Sequence, residues 1–438
     1  MQKDIVKKII PFIPFLIVLV LLLIKPYYIF PTTGDIDYHL VRAQEIIQNP
    51  IHGLFWDYLI YPPDGRCLWH PPLFHSILAF LWYIGGVRFA HSITCIFQIL
   101  LTVFVASWVA REEYGNLAGF FAGILSLACN RIDILAVPIP VAYIPILAVL
   151  TIHYIPKDKY KALIMSLIGV WTHMIGLLIF ISLFIADGLK SKSNIKIIML
   201  LLPSILFWGV YWFLFKDQSG TSDQIKTLTF SLPPGNNLFG MLILLILGTI
   251  GLYYLHRLDN ERFKLYITYA VVTFISTEIL FGDFARFLQS LSLPLAILSG
   301  LAIKKIYNYT TENYKTNFSR LIIASLIIIS FIGSLPFFMS LTSVETNWNQ
   351  INTPFDYKYT SLNDYINENT SQNETLWAEP ILAEKIAWMT GRKVANSHYG
   401  DPNYSVNQHQ NLNFYLSNNT VLIKNYENNT IKEIPANI

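Results

Sequence analysis

The chain has 438 residues, of which 53% are hydrophobic and only 13% are charged. Soluble domains carry about 25% charged residues, so this composition excludes an ordinary soluble domain and predicts a membrane protein with several spans. The net charge of +3 is too small to indicate a nucleic-acid partner. The three cysteines are too few and too scattered to predict a disulfide framework or a metal site.

The first apolar segment, residues 9–30, predicts a membrane anchor that is retained. It is longer than the apolar part of a signal peptide and has no small-residue cleavage site. Lysines precede it, which predicts a cytoplasmic N-terminus. Further apolar segments follow, so residues 1–340 predict an all-α polytopic membrane domain with about eleven transmembrane helices.

The placement of basic residues favours one topology over another. If residues 72–89 lie on the outer surface and 161–188 form two short helices, the basic cluster at 157–161 faces the cytoplasm. If 72–89 spans the membrane and 161–188 is one helix, that cluster faces outside. The first arrangement puts more lysine and arginine in the cytoplasm, and it predicts a long first outer loop at residues 31–90.

An amphipathic helix is predicted inside this loop, over residues 36–48. Ile36, Leu40, Ala43 and Ile47 recur at helical spacing on one face. The apolar face predicts that the helix packs against other parts of the protein.

Two carboxylates, Asp35 and Asp37, stand at the start of this helix, just past the first span. Ionised side chains at a bilayer face usually mark a functional site. The pair can hold a divalent cation such as Mg²⁺ or Mn²⁺ through hard oxygen ligands, or Asp37 can accept a proton from a substrate. The two residues also suit a helix start, with Asp35 as N-cap and Asp37 near the positive end of the helix dipole. The residues alone leave these interpretations open.

Other polar residues near the predicted outer face are further candidates. Asp133 breaks a pair of apolar segments, as a metal ligand or as a helix-capping residue in a turn. His39 and His75 are metal ligands, substrate contacts or ordinary interfacial histidines. Arg286 lies at the edge of an apolar segment. Three interpretations are open: it pairs with a lipid phosphate, it extends to the membrane interface, or it pairs with Asp283.

The composition changes after about residue 341, where the chain becomes polar and rich in asparagine. Short strand-like runs and one helix predict a small α/β domain over residues 341–438, which the topology places outside the cytoplasm. The strand-like runs are 375–378, 393–395 and 421–424, and the helix is 361–368. Trp377 lies in a segment predicted to be exposed and is a candidate contact for an acceptor.

Four pieces of the sequence carry a more specific signal, namely residues 35–42, 56–74, 116–133 and 285–300. Together they resemble the GT-C superfamily, and most closely the catalytic subunits of oligosaccharyltransferases. The first two pieces are similar to the acidic motif and the remainder of that family's first outer loop. The third is similar to the segment that leads to a second acidic motif, and the fourth to a helix whose arginine contacts the lipid-linked donor.

The resemblance implies a sugar donor linked to polyprenyl or dolichyl phosphate, an inverting transfer and a divalent cation, Mg²⁺ or Mn²⁺. It implies that Asp37 and Asp35 form the first acidic motif and that Asp133 approximates the second. It also implies that Arg286 contacts the donor phosphate. Trp377 stands where the family has its sequon-binding motif, but its neighbours differ from that motif, so the acceptor stays open.

These expectations predict a glycosyltransferase of the cell membrane with an extracytoplasmic C-terminal domain. Its partners would be a lipid-phosphate-linked sugar, membrane lipid and an acceptor, either a protein asparagine or a lipid or glycan hydroxyl. One alternative is a non-enzymatic transporter or flippase of lipid-linked sugars, which inverted repeats and helices interrupted at mid-membrane would favour. Another is an inactive relative that scaffolds a complex.

Overall fold

The protein is described here by a computed structural model, which covers residues 8–24, 34–62, 64–68, 70–128, 139–188, 192–215, 235–279, 284–314, 316–343, 357–396, 412–417, 420–425 and 430–435. The chain forms two compact units. The helical unit comprises Met1–Tyr27, Cys95–Phe207 and Ile225–Thr346. The sheet unit comprises Tyr28–Thr94, Trp208–Gln224 and Asn347–Ile438. The division expected from the sequence, at residues 340 and 341, remains a prediction.

Helices make up most of the described chain. In order they are α1 (Ile13–Ile24), α2 (Gly34–Gln48), α3 (Pro50–Gly53), α4 (Leu73–Tyr114), α5 (Asn116–Leu125), α6 (Ile144–Tyr154), α7 (Lys159–Thr172), α8 (Ile175–Asp187), α9 (Lys192–Phe215), α10 (Gly235–Leu258), α11 (Asn260–Phe274), α12 (Phe284–Asn313), α13 (Thr316–Ser343), α14 (Tyr357–Asn369) and α15 (Pro380–Thr390). Short 3₁₀ turns precede α1 and α6, and a π turn follows α11.

Strands are confined to two small sheets in the sheet unit. They are β1 (Trp56–Asp57), β2 (Arg66–Cys67), β3 (Thr375–Ala378), β4 (Lys393–Ala395), β5 (Leu412–Ser417), β6 (Thr420–Asn425) and β7 (Thr430–Pro435). β1 and β2 form an antiparallel pair within the first loop.

Among the described residues, four helices are long and apolar enough to cross a membrane. They are Leu73–Tyr114, Leu238–Leu258, Phe287–Asn313 and Thr316–Met339. Shorter apolar helices accompany them, at Ile10–Ile24, Asn116–Leu125, Pro140–Tyr154, Ile175–Asp187 and Ile195–Tyr211. These helices agree with a multi-pass membrane protein, and the count of about eleven spans remains a prediction.

Two helix breaks divide long apolar segments, and the one at His173 falls at a boundary that the sequence predicted. Gly86 in α4 has φ 84° and ψ 172°, a conformation that glycine adopts without strain, and it divides α4 into two helical segments. His173 is extended, with φ −153° and ψ 141°, and it separates α7 from α8. The prediction of two short helices within 161–188 is therefore confirmed.

Helices of the helical unit approach each other closely at glycines. The carbonyl oxygen of Leu298 in α12 lies where a side chain on Gly251 of α10 would begin. The carbonyl oxygen of Ala118 in α5 meets Gly300 of α12 in the same way. Small residues permit such backbone contact between membrane helices, where dispersion contacts replace the hydrophobic effect as the source of stability.

A partly buried ion cluster joins three helices of the same unit. Glu113 of α4 lies 2.6 Å from His153 Nδ1 of α6 and 2.7 Å from Lys157 Nζ, and it also pairs with Arg262 of α11. Several cations around one acid satisfy its charge where water is scarce. In the predicted topology, this cluster lies towards the cytoplasm.

The C-terminal part of the sheet unit is a five-stranded mixed sheet in the order β4-β3-β5-β6-β7. β3 is parallel to β4 and to β5, while β6 is antiparallel to β5 and to β7. Burial alternates along β3 and β6, where Leu376 and Ile423 are buried between more exposed positions, which is the pattern of strands with one covered face.

The predicted small α/β domain is confirmed in its main elements. The three strand-like runs lie in β3, β4 and β6, and the predicted helix 361–368 lies within α14. Helix α15 and strands β5 and β7 were not predicted.

Candidate active site

The site is built on α2, the amphipathic helix of the first loop. Ile36, Leu40 and Ala43 are buried on the predicted apolar face, and Ile47 is half-buried. Asp37 lies in the first turn of this helix with a side chain that is 0% exposed. An acid at that depth has to be paired with a donor or a cation.

Both partners of Asp37 come from α15, more than three hundred residues further along the chain. The indole Nε1 of Trp388 donates a hydrogen bond to Asp37 Oδ1 at 2.9 Å. The ammonium of Lys385, itself 1% exposed, lies 3.1 Å from Oδ2. Each carboxylate oxygen of Asp37 thus faces one group of α15. The carboxylate therefore does not cap its own helix.

Burial raises the pKa of the Asp37 carboxyl from 3.8 to about 6, against the opposing effects of the Lys385 charge and the Trp388 hydrogen bond. At neutral pH the group is mostly ionised, yet its pKa is near enough to neutrality for proton uptake. A general base is most effective when its pKa lies near the working pH.

Helix α15 is short, but its sequence fixes both ends. Pro380 occupies the first turn, where its missing N–H is not needed, and Gly391 ends the helix in a left-handed conformation with φ 67°. Residues 382–389 are all buried. Lys385 and Trp388 are three positions apart and so share a face, and the Trp388 ring packs on Trp82 of α4 with centroids 6.1 Å apart.

A second buried charge network holds the loop after α2. Glu45 Oε1 accepts hydrogen bonds from the backbone N–H groups of Tyr58 and Leu59, each at 2.7 Å. Arg42 pairs with Glu45 and donates to the carbonyl oxygens of Gly53 and Trp56. Burial lowers the pKa of the Arg42 guanidinium, opposed by the charge of Asp57. The same helix that carries Asp37 is thus tied to the loop at its other end.

Glu45→Gln is expected to lower the free energy of unfolding by about 3–5 kcal/mol, because Arg42 would lose its nearest carboxylate and keep only that of Asp57, 4.0 Å away. Thermal unfolding of the full chain in detergent measures the loss. Glu261→Gln, at a position where the side chain is 64% exposed, makes the same chemical change at the surface and should have little effect. Equal midpoints for the two variants would contradict a stabilising role for this network.

His39 and His75 are brought together, as two candidates of the same loop, but on a different face from Asp37. His39 Nδ1 and His75 Nε2 are 2.9 Å apart in a hydrogen bond, and both side chains are buried. His70 and Tyr38 complete the cluster with ring contacts to His39 at 5.8 and 5.5 Å. Positions 37 and 39 are about 200° apart around a helix, so the histidines do not share the face that meets α15.

The remaining candidates have different outcomes. Asp133 lies outside the described residues, and so do the side chains of Asp35 and Arg286, whose backbones lie in the first turns of α2 and α12. Trp377 is half-buried on β3, with its ring tilted against that of Tyr415 at a centroid distance of 5.1 Å, rather than in an exposed segment. The roles of these residues remain predictions.

The two residues that meet Asp37, Lys385 and Trp388, were missed from the sequence. One signal for them exists: Glu384 and Lys385 interrupt the otherwise apolar run from Ile381 to Met389, and charged residues in such a run need buried partners. The identity of that partner is set by tertiary packing and has no local signature.

The described donor set does not fit a divalent cation at Asp37. Mg²⁺ needs about six oxygen ligands near 2.1 Å, and Ca²⁺ needs about six to eight near 2.4 Å. In place of such ligands, Asp37 meets an ammonium and an indole N–H. Within the described part of the chain, no three His, Cys, Asp or Glu residues are grouped as metal ligands. A cation held by Asp35 and Asp133 remains a prediction.

Comparison with solved structures gives the fold. The chain is similar to the archaeal oligosaccharyltransferase AglB from Archaeoglobus fulgidus in complex with an inhibitory peptide and a dolichol-phosphate, with a TM-score of 0.61 and 14% identity. It is also similar to ArnT from Cupriavidus metallidurans bound to undecaprenyl phosphate, with a TM-score of 0.56 and 12% identity. The chain has the GT-C fold. This confirms the resemblance seen in the sequence.

The extent of the GT-C likeness differs between the two proteins. The match covers 91% of this chain and 65% of AglB, and 90% of this chain and 85% of ArnT. A crystal structure of the Archaeoglobus oligosaccharyltransferase with Zn and sulfate also matches, with a TM-score of 0.56, 14% identity, and 89% of this chain and 62% of that chain covered. The chain thus spans less than two thirds of the archaeal enzyme. No protein-family model and no curated protein matches the sequence.

Proposed function

We propose that this chain is a membrane glycosyltransferase that moves a sugar or oligosaccharide from a polyprenyl or dolichyl phosphate to an acceptor at the outer face of the cell membrane. The observation that carries the proposal is the buried, paired carboxylate of Asp37 in the first loop of a GT-C fold. The fold is shared with proteins solved with dolichol-phosphate and with undecaprenyl phosphate, which supports a lipid-phosphate donor.

Asp37 is proposed as the general base. In its ionised form it would take the proton of the acceptor nucleophile while that nucleophile bonds to the anomeric carbon. The bond between the anomeric carbon and the phosphate oxygen breaks, and its electron pair leaves with the lipid phosphate. The raised pKa of Asp37, about 6, supports this role because the carboxylate is then a stronger base than an ordinary aspartate and is still ionised at neutral pH.

Arg286 is proposed to contact the donor phosphate, with its place at the start of α12 as the supporting observation. A guanidinium suits this task because it offers several N–H donors in a planar arrangement to phosphate oxygens. His39, His75 and Trp377 are proposed substrate contacts of lower specificity, since each already has an aromatic partner in its own cluster.

The acceptor is proposed to be a protein asparagine or a lipid or glycan hydroxyl. The AglB structure contains an inhibitory peptide, which supports a peptide acceptor. A lipid or glycan hydroxyl is the alternative acceptor, and the match covers a larger share of ArnT than of AglB. The C-terminal sheet domain is proposed to lie outside the cytoplasm, where it would meet either one.

Sugar transfer is expected to rise with pH through a value of about 6, as Asp37 loses its proton. Trp388→Phe removes the N–H that stabilises the ionised carboxylate, so the pKa of Asp37 should rise and the midpoint should move up by about one pH unit. Initial rates with an extracted lipid-linked donor, measured across the pH range, give this midpoint.

Trp82→Phe is the matched control for this pH profile, because Trp82 touches the Trp388 ring and makes no described hydrogen bond to Asp37. Its midpoint should equal that of the unchanged chain. If Trp388→Phe also leaves the midpoint in place, the titrating group is not Asp37.

Two assays test the function itself. Purified full-length chain is incubated with a radiolabelled lipid extract and either a sequon peptide or extracted glycolipid, and label leaving the donor is followed. Mass spectrometry of surface glycoproteins and glycolipids from cells that lack the protein then names the missing product. An unchanged glycan profile together with no cleavage of labelled donor would refute the proposal, and movement of intact donor across vesicles would point to a flippase.

A further inference from the structure

The Asp37 carboxylate faces a cation that belongs to the protein. Lys385 Nζ lies 3.1 Å from Oδ2, and neither side chain is appreciably exposed to solvent. Charges this deeply buried persist as pairs, because an isolated carboxylate would take up a proton and an isolated ammonium would lose one. The pair therefore holds Asp37 and Lys385 in a fixed relation.

Helix α15 delivers this cation on a packed surface. The residues on either side of Lys385, from Leu382 to Met389, are buried, and Trp388 is anchored by its hydrogen bond to Asp37 and its contact with Trp82. A long side chain held along its whole length has lost the freedom of a surface lysine. The packing of α15 thus fixes the position of the ammonium next to Asp37.

The two donors on Asp37 also occupy the positions around its carboxylate that a metal ion would need. Trp388 Nε1 lies 2.9 Å from Oδ1, and the ammonium faces Oδ2. A divalent cation on the same carboxylate would be repelled by the ammonium and would find a hydrogen-bond donor where it needs an oxygen ligand.

We propose that Lys385 is the cation of the Asp37 site, so that an ammonium from the C-terminal helix α15, and not a divalent metal, neutralises this carboxylate. Lys385 is a positioning residue, because it sets the charge and orientation of Asp37. The assignment of Asp37 to catalysis rests on the proposed function, whereas the charge pairing stands without it. The consequence is a first acidic residue that does not ligate Mg²⁺ or Mn²⁺.

Mn²⁺ binding to the full-length chain in detergent tests this, with free Mn²⁺ followed by electron paramagnetic resonance. The unchanged chain and Asp37→Asn are expected to bind Mn²⁺ with the same stoichiometry and with affinities within twofold of one another. Glu261→Gln, at an exposed acid of α11, corrects for the general loss of one negative charge. Loss of one bound Mn²⁺ or a tenfold weaker affinity in Asp37→Asn would overturn the proposal.

A second measurement needs no variant. Fe²⁺ with ascorbate and peroxide cleaves a backbone next to a bound metal, and the fragments of the unchanged chain map the site. Absence of cleavage around residues 37 and 385 supports the proposal, and cleavage there would overturn it. Sugar transfer is measured on the same preparation. Absence of sugar transfer would refute the proposed function. The role of Lys385 is decided separately, by Mn²⁺ binding and Fe²⁺ cleavage.

Discussion

Asp37→Asn is expected to lower sugar transfer by about 10²–10⁴-fold, the range that a lost general base produces. Asparagine keeps the shape of the side chain and still accepts the Trp388 hydrogen bond, but it takes no proton from an acceptor. Initial rates with radiolabelled lipid-linked donor measure the loss. Membrane insertion should stay normal, because α2 is not among the helices long and apolar enough to cross a membrane.

The control for this variant separates chemistry from folding. Asp158→Asn makes the same substitution at an exposed N-cap of α7, where asparagine caps as well as aspartate, so transfer should be unchanged. Asp37→Asn/Lys385→Met removes both buried charges and should fold but stay inactive. Transfer at the normal rate by a folded Asp37→Asn chain would remove Asp37 from the mechanism.

Local periodicity explains which elements could be predicted from the sequence. Helix α2 followed from four apolar residues at helical spacing, and β3, β4 and β6 followed from short β-branched or aromatic runs. Strands β5 and β7 were missed because asparagine and charged residues interrupt their apolar pattern. The five-stranded sheet forms because pairing with β6 stabilises both neighbours, an effect that no single segment reveals.

Only one side of the candidate site, Asp37, could be predicted from the sequence, because its partners depend on contacts between distant segments. Asp37 stood out because acids beside a membrane segment are rare and costly. Lys385 and Trp388 did not, since no helix was predicted after Trp377, whereas residues 382–389 of α15 are buried. The contact between Trp388 and Asp37 joins residues 351 positions apart, and only the packed fold brings them together.

The same long-range contact changes how the acidic loop is understood. From the sequence, Asp37 was a candidate metal ligand, because the resemblance implies a divalent cation and no lysine or arginine was predicted to lie next to Asp37. The structure supplies one, at 3.1 Å. In this chain, helix α15 therefore contributes a positive charge next to the acid of the first loop.

Lys385→Met is expected to lower the free energy of unfolding by about 3–5 kcal/mol at neutral pH, because the buried Asp37 charge loses its only described cationic partner. The pKa of Asp37 is raised in the folded chain, so the folded state binds the proton more tightly than the unfolded state does. Stability therefore rises as the pH falls through about 6, and the deficit of Lys385→Met should shrink at acidic pH. Denaturant unfolding followed by tryptophan fluorescence at both pH values measures this.

A double-mutant cycle with Asp37→Asn decides whether the loss comes from the pair. Asp37→Asn/Lys385→Met should recover most of the stability lost in Lys385→Met, because no unpaired charge then remains in the interior. Lys264→Met, at a surface ion pair of α11, should cost no more than about 1 kcal/mol. If Lys385→Met is no worse than Lys264→Met at neutral pH, the ammonium does not balance Asp37, and the charge of that carboxylate must be met in another way.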